Sequence, residues 1–173
     1  MIKHVYSTEA LFKKFVDPLL QNKQIIAVDG FEGVGKSDWI SEGLSDKKIH
    51  VLHIDDFIKK QSKVDFYVLK SKMKLFNLIK ATKKPLIVEG VMVKKILDNI
   101  NVKPDLWIYI KKMCNYGWCE GVWLEKEYIN DYQPDIRLYL GKPRYRQLYR
   151  YHIKYEPQKN ADIIIEIDEN LYK

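Results

Sequence analysis

The sequence predicts an α/β fold, a five-stranded and largely parallel sheet with helices on both faces. Three observations predict it. Apolar runs of strand length recur at 24–29, 49–54, 85–90, 105–110 and 160–167. Between them lie segments whose apolar residues fall three and four apart, the spacing of a helix packed on a sheet. The first run also leads into Gly30-Phe31-Glu32-Gly33-Val34-Gly35-Lys36-Ser37, a match to the phosphate-binding pattern G-x-x-x-x-G-K-[ST]. Strand, glycine turn, helix is the context that pattern requires. The fold class therefore narrows to the three-layer P-loop NTPase fold.

Each element has its own warrant. Ser7-Thr8-Glu9 opens a helix whose stripe is Leu11, Phe12, Phe15, Val16, Leu19 and Leu20, bent or ended near Pro18. Residues 24–29 are apolar and rich in β-branched side chains, as a strand buried on both faces needs. Trp39, Ile40, Gly43 and Leu44 give the helix after the glycine turn its packed side. The strand at 49–54 ends in Asp55-Asp56-Phe57. Phe66, Leu69, Met73, Phe76 and Ile79 predict a helix over 63–82. The strand at 85–90 ends in Glu89-Gly90, and a helix over 91–100 and a turn at 101–104 lead to the strand at 105–110. Residues 111–143 mix glycine with aromatics and give no clear period. Lys142-Pro143 starts a helix that continues to about residue 155, and 160–167 supplies the last strand. Strands alternating with helices imply right-handed crossovers.

Composition bounds the function. The 173 residues form a single domain, 1–173, and 46% hydrophobic with 13% aromatic residues is the make-up of a folded globule. No apolar run approaches the roughly 20 residues that span a bilayer. The N-terminus lacks the apolar core of a signal peptide, so a cytoplasmic protein with no membrane partner is expected. Cys114 and Cys119 have neither redox-pair nor zinc spacing and read as reduced thiols. The net charge of +7 suits an anionic partner such as a nucleotide.

The glycine turn dictates the chemistry. Gly30, Gly33 and Gly35 allow positive φ and close approach to an anion, and the loop amides then form a nest that continues into a helix start. Nucleotide contacts are expected from Gly30, Glu32, Gly33, Val34, Gly35, Lys36, Ser37 and Asp38. Lys36 suits the β- and γ-phosphates and Ser37 suits Mg²⁺. Asp55 and Asp56 end a parallel strand, where open α/β sheets place their sites. Asp55 can accept the proton of a hydroxyl that attacks the γ-phosphate. Glu89, an acid closing an apolar strand, is a candidate metal ligand with Ser37 and Asp55. Arg137, Arg144, Arg146 and Arg150 are the only arginines, crowded into one region, and guanidinium groups grip phosphates with paired donors.

Four blocks taken together resemble the uridine kinase and nicotinamide riboside kinase group of P-loop kinases. They are Val28-Asp29-Gly30 through Lys36-Ser37, His53-Ile54-Asp55-Asp56-Phe57, Ile87-Val88-Glu89-Gly90, and Tyr155-Glu156-Pro157 through Asn160-Ala161-Asp162-Ile163-Ile164. The resemblance implies ATP- and Mg²⁺-dependent transfer of the γ-phosphoryl group to a hydroxyl of a nucleoside or similar small metabolite. It implies Asp55 as base, Glu89 as an aid to Mg²⁺, and Asp65 and Asp56 on the acceptor. It also implies a helical lid over roughly 112–146, in which Arg144 and Arg146 clamp phosphates and Arg137 adds a further contact. Residues 157–160 would border the adenine. Asp38 stands where that group usually has a second hydroxyl residue, and Glu120, Glu125 and Glu127 occupy a stretch where it usually has arginines. The alternatives are a P-loop ATPase, or a degenerate nucleotide-binding module without an acceptor. A nucleic-acid partner, gripped through 137–155, is not expected.

Overall fold

Strand β2 (Ile25–Gly30) is the axis of the molecule, with Ile26, Ala27 and Val28 wholly excluded from solvent. The computed structural model describes residues 4–6, 23–43, 49–60, 67–115, 117–124 and 141–168. Before β2 stands the short strand β1 (His4–Tyr6), and after it come helix α1 (Lys36–Gly43) and β3 (His50–His53). A single 3-10 turn, Ile54–Phe57, leads into the hairpin β4 (Ile58–Lys60) and β5 (Tyr67–Leu69). Helix α2 (Lys72–Ala81), β6 (Leu86–Glu89), α3 (Val93–Asn99) and β7 (Leu106–Cys114) follow. The chain continues through β8 (Gly117–Trp118), α4 (Gly121–Leu124), α5 (Pro143–Tyr155), α6 (Pro157–Asn160) and β9 (Ile163–Asp168).

The main sheet runs β1-β9-β7-β2-β6-β3, parallel throughout, with β8 added antiparallel to β7. Among the described residues seven strands thus form this sheet where five were expected. All five expected strands are present; β1 and β8 are three and two residues long, too short to give a periodic signal. Strand order reverses at β2, which pairs with β6 on one side and β7 on the other. Ligands of open α/β sheets bind beyond the strand ends at such a reversal. Alternation along β2 divides the core. Ile26 and Val28 meet Trp39 and Ile40 of α1, whereas Ala27 faces the layer containing Leu75 of α2, Ile96 of α3 and Leu148 of α5.

The helix expected over 63–82 is corrected. Residues 67–69 form β5, and the helix begins only at Lys72, capped by Ser71 Oγ accepting from the Lys74 amide at 3.2 Å. Met73 is 68% exposed and Leu75 takes the core position instead. Phe66, Asp65, the expected helix at 7–20, Arg137 and residues 125–140 of the expected lid lie outside the described residues. Neither Cys114 nor Cys119 is in a disulfide, and among the described residues no helix is long and apolar enough to cross a membrane. Carboxylates tie strand starts together: Asp105 Oδ2 accepts from the Gln24 and Ile25 amides (3.1 and 2.9 Å), and Asp162 Oδ2 from the Trp107 amide (2.8 Å).

His152 of α5 is buried and held neutral. Its Nδ1 donates to the Leu148 carbonyl (2.8 Å), which leaves Nε2 to accept from the Tyr109 hydroxyl (2.8 Å). Burial, opposed by the Leu148 bond and assisted by the Lys36 charge, lowers its pKa from 6.5 to about 4. The unfolded chain therefore takes up this proton at a higher pH than the folded one. The stability conferred by the neutral ring is complete above pH 6.5 and is lost as pH falls towards 4. The full loss is on the order of 3 kcal/mol. Asp29 and Glu120, both raised to about 6, act in the opposite sense, so the wild-type curve alone mixes the three. The unfolding free energy of wild type minus that of His152→Gln isolates the histidine. It should fall on acidification; a difference independent of pH would reject a buried neutral ring.

Candidate functional site

The glycine turn joins β2 to α1 at the sheet's reversal point. Gly33 and Gly35 adopt positive φ (79° and 83°), a conformation open to glycine with little strain. Gly30 does not, and its requirement is spatial: a Cβ there would stand 2.8 Å from the Ile110 carbonyl. The expectation of positive φ at all three glycines is thus corrected at the first. The Trp39 amide donates to Gly35 O (2.9 Å) and begins α1 directly behind the turn. Phe31 packs beneath α5, its ring stacked on Tyr145 and tilted against His152.

Lys36 folds back over the loop, its Nζ donating to the carbonyls of Gly30 (3.2 Å) and Phe31 (2.7 Å). It is only 8% exposed. Burial lowers its pKa, while the charges of Asp29, Glu89, Asp55 and Glu120 pull it back up. Ser37 Oγ donates to Glu89 Oε1 (3.2 Å), joining α1 to the end of β6, and His53 Nδ1 meets the same oxygen from β3. A hydroxyl beside a carboxylate is a hard-oxygen pair of the kind Mg²⁺ takes when phosphates and water complete its shell. Among the described residues no three acids, histidines or cysteines form an all-protein metal cage.

Asp55 lies in the 3-10 turn beyond β3. A Cβ on Gly90 would stand 3.5 Å from its Oδ1, so the carboxyl lies over the end of β6. Its charge is felt by Lys36. Asp56 is exposed, and its carbonyl accepts from Lys70 Nζ (2.9 Å). Asp38 is exposed in the first turn of α1.

Arg144 and Arg146 diverge. Two residues along a helix is about 200° of rotation, so their side chains leave α5 on different sides. Arg144 reaches the glycine turn, with Nη1 3.4 Å from Glu32 Oε1 and Nε 3.4 Å from Oε2, and it lies over the Tyr145 ring. Arg146 bonds to the Gly141 carbonyl (3.5 Å) and lines a groove to which no described residue of the glycine turn contributes. Arg150 lines that groove as well.

Several residues gain a role only in the structure. Asp29, at the end of β2, is fully buried. Its Oδ1 accepts from the Gly30 amide (2.8 Å), and its Oδ2 accepts from Lys94 N (3.3 Å) and from the Tyr151 hydroxyl. Burial raises its pKa from 3.8 to about 6 against the pull of those bonds and of Lys36. It locks the root of the loop to α3 and α5. Tyr67 donates to Glu32 Oε2 (3.0 Å) and holds Gln147 through its own backbone (2.7 and 3.1 Å), so β5 braces the loop from outside. Glu120, beside α4, is buried; Oε2 has no hydrogen-bond partner among the described residues, and burial raises its pKa to about 6. The only local signal for Asp29 was an acid ending an otherwise apolar strand. For Tyr67 and Tyr151 there was none.

No protein-family model matches the sequence, and no curated protein does. Among solved structures, the chain is similar to that of a possible uridine kinase from Bacillus stearothermophilus. The TM-score is 0.59 at 16% identity, over 91% of this chain and 100% of the other. At that identity the likeness shows a shared fold: parallel strands and helices arranged as in an α/β P-loop-like protein.

Proposed function

We propose that the protein is an ATP-dependent phosphotransferase, moving the γ-phosphoryl group to a hydroxyl of a nucleoside or similar small metabolite. One observation carries this reading. A buried lysine on a glycine turn, a serine–glutamate pair and an aspartate converge from the ends of three neighbouring strands, β2, β6 and β3. The loop amides and Lys36 hold the triphosphate tail in line for attack. Asp55 takes the proton of the acceptor hydroxyl as its oxygen bonds to the γ-phosphorus and the bond to the bridging oxygen breaks, releasing ADP. Lys36 and Arg144 neutralise charge that develops on the transferred and departing oxygens. Mg²⁺ would be held by Ser37 and Glu89, with Asp55 within reach of the same phosphates, and would shield their charge from the attacking oxygen.

The test is acceptor dependence. ADP formation is measured against a panel of nucleosides, vitamins and sugars, each with and without the purified protein. A kinase consumes ATP appreciably only with its acceptor. Steady phosphate release into water, unaltered by every member of the panel, would replace this reading with a P-loop ATPase.

A further inference from the structure

A groove between α3 and α5 holds a cavity of about 160 Å³ that carries Lys95, Arg146, Arg150 and Lys154, with Tyr151 and Tyr155 on its walls. No acidic side chain is among the described residues that line it. Arg146, Arg150 and Lys154 stand at i, i+4 and i+8 of α5, so they form one row with steps of about 6 Å along the axis. Like charges at that spacing work against a helix, so the row does not exist for the sake of α5. Among the described residues no ion pair joins Lys95, Arg150 or Lys154 to an acid.

A second cavity of about 260 Å³ adjoins the first, sharing Met92, Lys95 and Gln147 with it and walled by Tyr67 and Leu69. Tyr67 is the link to the phosphate loop, because its hydroxyl bonds Glu32 there. Met92, common to both cavities, has a left-handed backbone (φ 59°) that a residue with a side chain adopts only under constraint. Each cavity is smaller than the roughly 300 Å³ at which pockets for whole small molecules begin, and the two together exceed it. The pair thus runs from Tyr67, whose hydroxyl braces Glu32 of the glycine turn, to the cations of α3 and α5.

We propose that this groove binds the anionic part of the acceptor: a phosphate or carboxylate on the same molecule whose hydroxyl is phosphorylated. Arginines at 146 and 150 offer paired donors to such a group, and Lys95 and Lys154 close on it from either side. A neutral nucleoside would give Lys95 and Arg150, which no ion pair joins to an acid among the described residues, no anion to meet. The assignment to the acceptor rests on the kinase reading above; the groove's affinity for an anion does not.

Isothermal titration of the full chain with ribose 5-phosphate, ribose and ATP separates the two claims, using wild type, Lys95→Gln/Arg150→Gln and Lys154→Glu. Wild type should bind ribose 5-phosphate and not ribose. The paired variant should weaken that binding by about tenfold or more for each cation removed, the size of one charged hydrogen bond. Lys154→Glu should weaken it too, and both variants should keep wild-type affinity for ATP. Wild type that ignores the sugar phosphate, variants that bind it normally, or loss of ATP in parallel with it would each overturn the proposal. The last would place the anion on the phosphate loop. If ribose 5-phosphate behaves as described while wild type fails to bind ATP, the groove stands and the kinase reading falls.

Discussion

Replacing Lys36 with alanine is expected to weaken ATP binding by about 10- to 150-fold, the range of one charged hydrogen bond. Turnover should fall by about 10²- to 10³-fold in the same variant, as when a donor to developing transition-state charge is removed. The expectation follows from where the ammonium lies. It is buried and bonded to two loop carbonyls, with Asp29 and Glu89 the strongest sources of opposing charge. A triphosphate entering the loop without it meets two acids and no buried cation. Alanine also leaves Asp29 without its counter-charge, so thermal unfolding must be recorded beside the titration. A folded variant that binds ATP as wild type does would contradict the phosphate-loop assignment. Lys36→Arg restores charge but must fit a planar fork where a compact amine is enclosed, so it should recover affinity only in part.

What the sequence disclosed, and what it hid, follows from how local each signal is. The strand, glycine turn and helix around residues 25–43 were legible because tight glycine turns demand particular residue types at fixed offsets, and the strand and helix have different periods. The hairpin of β4 and β5 was not. Phe66, Leu69, Met73, Phe76 and Ile79 imitate a helical stripe. The cap at Ser71 was the better guide, since it marks the helix start six residues before Asn77 and leaves 67–69 free to pair with β4. Arginine clustering was visible, and so was the start of α5 at Pro143, yet which face of that helix meets Glu32 and which lines the groove depends on how the helix packs. Asp29 is the hardest case. Its partner Tyr151 is 122 residues away in the chain, and no local pattern announces a contact of that span. The residues proposed to touch phosphate could therefore be named from the chain, and those that hold the loop in place required the fold.

Asp55→Asn should lower kcat by about 10²- to 10⁴-fold, the usual contribution of a positioned general base, and leave ATP affinity intact. The amide is nearly the same size and sits on a turn beyond β3, exposed to solvent, so folding has little reason to change. What it removes is the ability to take a proton. The neighbouring Asp56 supplies an internal comparison: it too is exposed, and its carbonyl rather than its carboxyl makes the contact to Lys70. Asp56→Asn should therefore touch the KM of the acceptor and spare kcat. If the two variants behave alike, the acids act as a shared field on the phosphates rather than as one base. If Asp55→Asn turns over at the wild-type rate, the proton goes elsewhere, and Asp55 leaves the mechanism. The two outcomes differ in the pH–rate profile as well, because a lost base abolishes the acidic limb of kcat while a lost field only shifts it.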